Sequence, residues 1–105
     1  MQRIDVTELK RRLDAGNSCT LLDVREHWEY EICQIPGSIN LPMSQILNRQ
    51  EELDKDAVTV VICHHGVRSS QACMYLINSG FEHITNLSGG IDAWSSVCDS
   101  SVPRY

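Results

Sequence analysis

Apolar positions recur along this chain in two alternating rhythms. Val6, Leu9 and Leu13 are spaced to share one face of a helix; Asp5 with Glu8 in a capping box, or Thr7, opens it, and Gly16 closes it. Thr20 to Val24 is a short apolar run ending in polar residues, the signature of a buried strand. Residues 26–33 read as a short helix before the Pro36-Gly37 turn, and Ile39-Asn40-Leu41 as a brief strand that Pro42 ends. Met43 to Asn48 predicts another short helix with Ile46 and Leu47 turned inward, followed by a solvated charged stretch from Arg49 to Asp56. Val58 to Cys63 is the strongest strand, β-branched and apolar on both faces as a central parallel strand must be. Ser69 to Asn78 predicts a helix with Ala72, Cys73, Leu76 and Ile77 inward, ended by Ser79-Gly80. His83 to Leu87 is a last strand, and Ser88-Gly89-Gly90 leads into a helix with Ile91 and Trp94 on one side. Trp94 reads as core, Trp28 as partly buried near the rim. This alternation predicts an α/β fold: a mostly parallel sheet of about five strands with helices on both faces.

Composition narrows the function. The 105 residues fit one domain, 1–105, with 98–105 as a tail. A chain of this size buries roughly two-thirds of its unfolded surface, so it needs no metal or disulfide staple. Its apolar runs are too short to span a bilayer, and its first residues lack the apolar core of an export signal. The expected location is cytoplasmic, with no membrane partner. A net charge of −5 without a basic run also argues against a nucleic-acid partner. The five cysteines are odd in number, scattered and without a C-x-x-C pair, which predicts reduced thiols rather than disulfides or a zinc site. Most of them should be small buried hydrophobes.

Cys63 differs by position. In a parallel sheet ligands bind at the carboxyl ends of the strands, and Cys63 ends the best strand here. His64, His65, Gly66, Val67, Arg68 and Ser69 follow, and then a helix begins. A helix N-terminus collects anions, and nearby cations favour thiolate over thiol. The two histidines and Arg68 are expected to add local positive charge, and Gly66 to let the loop curl into a cradle.

The run Cys63-His64-His65-Gly66-Val67-Arg68-Ser69 resembles the active-site loop of the rhodanese family of sulfurtransferases. Leu22-Asp23-Val24-Arg25-Glu26 with Glu29-Tyr30, then Ile35-Pro36-Gly37-Ser38-Ile39-Asn40-Leu41-Pro42, is similar to that family's amino-terminal motif. Leu87-Ser88-Gly89-Gly90-Ile91-Asp92-Ala93-Trp94 is similar to its carboxyl-terminal one. The resemblance spans nearly the whole chain and implies the family's three-layer fold. It implies a Cys63 nucleophile that takes a sulfane sulfur from thiosulfate or a persulfide and passes it, as a Cys63 persulfide, to cyanide or a thiol. Residues 64 to 69 would bind the small anionic donor, the acceptor would be a thiol or a sulfur-relay protein, and no cofactor or metal is required. Phosphatases and arsenate reductases of the same fold carry one residue more between cysteine and arginine, a wider cradle suited to a tetrahedral anion. The shorter loop favours sulfur transfer. A non-catalytic or carrier module that docks a partner is the other reading, which the retained cysteine disfavours.

Roles within the site follow from the same resemblance. Arg68 either contacts substrate or pairs with an acidic group to brace the loop, and Asp23 and Arg25 are expected as scaffold. The two histidines serve through their backbone or their imidazoles; neighbours in sequence, they cannot readily share one tetrahedral ion with Cys63. His64 stands where many thiosulfate-active members carry arginine, which favours a persulfide donor. Cys33-Gln34 stands where relatives commonly carry Gly-His, so Cys33 is either a second thiol or a buried structural one.

Overall fold

A five-stranded sheet in the order β1-β5-β4-β2-β3, every neighbouring pair parallel, forms the centre of the computed structural model, which describes residues 1–105. The strands are β1 (Gln2–Ile4), β2 (Thr20–Asp23), β3 (Ile39–Asn40), β4 (Thr59–Ile62) and β5 (Ile84–Leu87). The helices are α1 (Val6–Asp14), α2 (His27–Ile32), α3 (Met43–Arg49), α4 (Val67–Asn78) and α5 (Gly90–Ala93). The sheet is thus wholly parallel rather than mostly so, and its edges are the two shortest strands, which limits exposed edge.

Side-chain alternation along the strands sorts the interior into two packed faces. Leu21, Val60 and Ile62 meet Val6 and Leu9 of α1, Ile91 of α5 and Trp94 on one face. Leu22, Val61 and Cys63 meet Ile46 of α3 and Ala72, Cys73 and Leu76 of α4 on the other. Each Leu, Ile or Val among them, fully buried, contributes about 1.5–3 kcal/mol from apolar burial. β4 is buried at all of its positions, as its two-faced apolar pattern requires. No helix is long and apolar enough to cross a membrane.

Local chemistry sets the element ends. The Asp5 carboxylate accepts from the Glu8 N–H at 2.8 Å and caps α1, whereas the Glu8 side chain turns instead to Arg11 and Arg12. In α2 the box is complete: Glu26 and Glu29 each accept the other's backbone N–H. Four expectations change. β1 forms although Gln2-Arg3-Ile4 offers only one buried side chain, because pairing with β5 satisfies its backbone. Leu47 is exposed while Ile46 alone fills the α3 contact. Ile77 also lies near the helix surface, since Ala72, Cys73 and Leu76 already cover the buried stripe of α4. Trp28 is 62% exposed, its ring meeting Tyr105 edge-on.

The tail turns back on the domain. Val102 enters the α1-side cluster, Asp99 accepts the Val102 N–H at 3.1 Å, and Arg104 grips Asp92 of α5 with contacts of 2.9 and 3.2 Å.

Candidate active site

Cys63 follows β4 directly, and α4 starts at Val67, two residues earlier than the sequence pattern indicates, so the loop proper is only residues 63–66. The loop curls because Gly66 takes φ +104°, a left-handed conformation that glycine adopts without strain. This aims the Gly66 N–H at the Cys63 Sγ, 3.0 Å away. The first N–H groups of α4, from Val67 to Ser69, have no partner within the helix and carry its positive dipole end. The α5 end of the molecule holds the loop from behind: Ile91 N–H donates to the Cys63 carbonyl at 2.9 Å and Asp92 N–H to the His64 carbonyl at 3.1 Å. That approach requires glycine at position 90, where φ is +59° and a Cβ would collide with both carbonyls.

On the α4 side, the Cys63 thiol donates to Ser69 Oγ at 3.3 Å, and Ser69 donates on to Asn86 Oδ1. Asn86, buried in β5, also donates from Nδ2 to the Gly66 carbonyl at 3.1 Å. The sequence pattern does not nominate Asn86: β5 already holds a second polar residue, Thr85, so nothing local marks the amide that faces the loop.

Below the loop lies a buried ionic frame. Asp23 and Arg25 are fully buried and paired at 2.7 Å, and Arg25 also donates to the carbonyls of Cys33 at 2.6 Å and Glu29 at 3.2 Å. Asn40 ties this frame to β3 by donating to the carbonyls of Asp23 and Arg25 at 3.1 and 2.9 Å. Arg68 does not reach into the cradle: its guanidinium forms a two-pronged pair with Glu29 at 2.6 and 2.8 Å. Arg68 holds the Glu29 carboxyl down at about 2, far below the ordinary 4.5. Glu29, the acidic partner that the Arg68 bracing role calls for, comes from α2, distant in sequence.

The positive charge expected around the loop is largely absent. The Arg68 charge is matched by Glu29, and His64 is held below the ordinary histidine value by burial first and by His65 second. His64 Nε2 is buried without a hydrogen-bond partner, and its ring is stacked between His65, 4.0 Å away, and Tyr105, 3.9 Å away and 4° from parallel. His65 is open to solvent, 3.9 Å from Asp92. His64, His65 and Asp92 offer ligand-type atoms within 4.8 Å of one another. The two imidazole rings are stacked on each other, however, and Asp92 is already gripped by Arg104. The donor that faces the Cys63 sulfur is therefore a backbone N–H, that of Gly66, rather than a charged side chain.

Burial pushes the Cys73 thiol up to about 12 and raises Cys19 and Cys98. Cys33 packs on the α1 side of the sheet while Cys63 packs on the α4 side, and the Cys33 Sγ faces Arg25 Nη1 at 3.8 Å.

Comparison with known proteins finds both sequence relatives and a matching fold. A profile described as Rhodanese-like domain matches residues 5–97. A protein of Allochromatium vinosum named Sulfurtransferase is 39% identical over 95 residues, covering 90% of this chain and 89% of that one. YrkF of Bacillus subtilis, whose name is that of a sulfur carrier protein, is 34% identical over 92 residues, covering 88% of this chain but 50% of its own length. The crystal structure of a rhodanese-like domain protein from Staphylococcus aureus superposes with a TM-score of 0.87 at 28% identity, covering 100% of this chain and 99% of that one.

Proposed function

This chain belongs to the rhodanese-like domain family, and from that premise we propose that it is a sulfurtransferase that carries sulfane sulfur on Cys63. The Cys63 thiolate attacks the outer sulfur of the donor; a new S–S bond forms, the donor's own S–S bond breaks, and sulfite or a thiolate leaves with the electron pair. The product is a Cys63 persulfide. A thiolate, or cyanide in an assay, then attacks its terminal sulfur, departs with it, and returns Cys63 as thiolate. No external oxidant or reductant is consumed, and the two half-reactions share one covalent intermediate, so the kinetics are ping-pong.

The observation that carries this reading is the Gly66 N–H aimed at the Cys63 sulfur from 3.0 Å, beside the unpaired N–H groups at the start of α4. Donors fixed in this way stabilise charge on sulfur without reorganising during the reaction. With Arg68 paired and His64 kept toward its neutral form, the mouth has little side-chain charge for a dianion such as thiosulfate. The donor that suits it is a persulfide borne by a small thiol or a relay protein, in keeping with the sulfur-carrier name of YrkF. A reducing compartment such as the cytoplasm maintains the thiolate between turnovers.

Steady-state transfer from thiosulfate to cyanide and from a persulfide to a thiol tests the proposal. Cys63→Ser is expected to reduce both to background, and the persulfide reaction of the unaltered protein to exceed the thiosulfate one in kcat/KM. Undiminished transfer in Cys63→Ser would falsify the assignment.

A further inference from the structure

Tyr105 touches the site on both sides of the cradle. Its ring lies face to face on His64, the residue after Cys63, at 3.9 Å. Its hydroxyl donates to Glu29 Oε2 at 2.7 Å, on the same carboxylate that grips Arg68, and accepts from Arg25 Nη1 at 3.0 Å. The ring therefore bridges from the start of the loop to the arginine that ends it. Arg104 fastens the preceding residue to Asp92, and Val102 anchors the segment in the core. Cys63, in the loop that this bridge spans, packs with Leu22, Val61, Ala72 and Cys73, is 1% exposed and lines none of the three cavities in the molecule. The largest cavity, an open polar depression of about 490 Å³ lined by Arg3, Gly66, Asn86 and Ser88, lies beside the loop and does not reach the sulfur.

A sulfur that must be attacked by a donor, and must then present its terminal atom to an acceptor, cannot react while sealed. The contacts that seal it are of the kind that release. The stack on His64 and the exposed Arg104–Asp92 ion pair are each weak against water, and the two hydroxyl bonds to the buried Glu29 and Arg25 are the contacts that must break for the ring to lift. We propose that Tyr105 is a specificity-determining residue, a cover over Cys63 that lifts from His64 before sulfur can enter or leave, so that donors and acceptors are selected by their ability to displace it. This extends the reading of Cys63 as the sulfur carrier and rests on it for the identity of the ligands; the steric cover itself is measurable without sulfur.

The test is the rate of Cys63 alkylation, followed by peptide mass spectrometry, with iodoacetamide as the small reagent and a fluorescein maleimide as the bulky one. Unaltered protein is compared with Tyr105→Ala, Tyr105→Phe and Arg104→Ala. Tyr105→Ala is expected to speed the bulky reagent at Cys63 by roughly tenfold and iodoacetamide by less, with Tyr105→Phe, which keeps the stack but loses the hydroxyl bonds, in between. Arg104→Ala should give a smaller gain in the same direction. The buried thiols of Cys33 and Cys73 should keep their rates. Equal Cys63 rates in all four proteins overturn the cover, and so does a parallel rise at Cys33 and Cys73, which would mean a loosened fold. If Tyr105→Ala exposes Cys63 selectively yet neither thiosulfate nor glutathione persulfide loads sulfur on it in any variant, the cover stands and the sulfur-carrier reading fails.

Discussion

Beneath the Cys63 loop, the Asp23, Arg25 and Glu29 side chains are no more than 5% exposed and are tied to one another and to Arg68 by ion pairs and carbonyl contacts. At its mouth, His65 and Arg104 are 62% and 59% exposed, and His64 and Tyr105 are held by stacking. Of the groups that seemed suited to binding an anion, Arg68 is used in the frame, and at the mouth a backbone N–H faces the sulfur. Substitutions in the frame should therefore reduce stability, whereas those at the mouth should change reactivity and leave stability nearly untouched.

The largest effect expected is from Arg25→Leu, which strands the Asp23 carboxylate in the core; loss of one partner of such a pair costs about 3–5 kcal/mol, read from the midpoint of urea unfolding. Gly90→Ala comes next. Its collision with the carbonyls of Cys63 and His64, added to a positive φ, should cost about 2–3 kcal/mol and disturb the loop enough to reduce sulfur transfer in parallel.

Glu29→Gln breaks the Arg68 pair and weakens the Tyr105 contact, at about 2 kcal/mol because Arg68 is half-exposed. It also carries a pH signature. The Glu29 carboxyl is held at about 2 against an ordinary 4.5, so its contribution is complete above pH 4.5 and is lost as pH falls toward 2. Unfolding measured across that window should show a steeper acid loss in the unaltered protein than in Glu29→Gln; identical slopes would remove Glu29 from the frame.

The smallest effects belong to the mouth. His64 is held below the ordinary histidine value of 6.5, so the unfolded chain takes up its proton first and stability declines as pH drops below 6.5. The decline attributable to His64 should be small, because the residue is only partly buried, and should vanish in His64→Phe. Loss of several kcal/mol there would erase the distinction between frame and mouth.

Both the alternation of strands and helices and the Cys63–Ser69 loop were legible in the sequence, because each depends on residues close along the chain. β4 has an apolar run readable as a buried strand, and Gly66 marks the place where the loop must curl. What escaped depends on distant partners. Arg68 was readable only as either a substrate contact or a brace, and its acid was not readable at all, since Glu29 lies 39 residues away; Asn86 and Tyr105 carry no local signal of facing the loop. β1 escaped because pairing with β5, not its own pattern, makes it a strand. Leu47 and Ile77 were misjudged because an apolar residue beside a buried stripe looks the same in sequence whether the helix turns it inward or outward.

The central claim, that sulfur travels on Cys63, is tested most directly by intact-protein and peptide mass spectrometry after exposure to a persulfide donor and then to a thiol acceptor. The account predicts a gain of one sulfur, mapped to Cys63 and absent from Cys63→Ser, and its loss once the acceptor is added. No gain from any sulfane donor, even with Tyr105→Ala, or a gain on another cysteine, would contradict it.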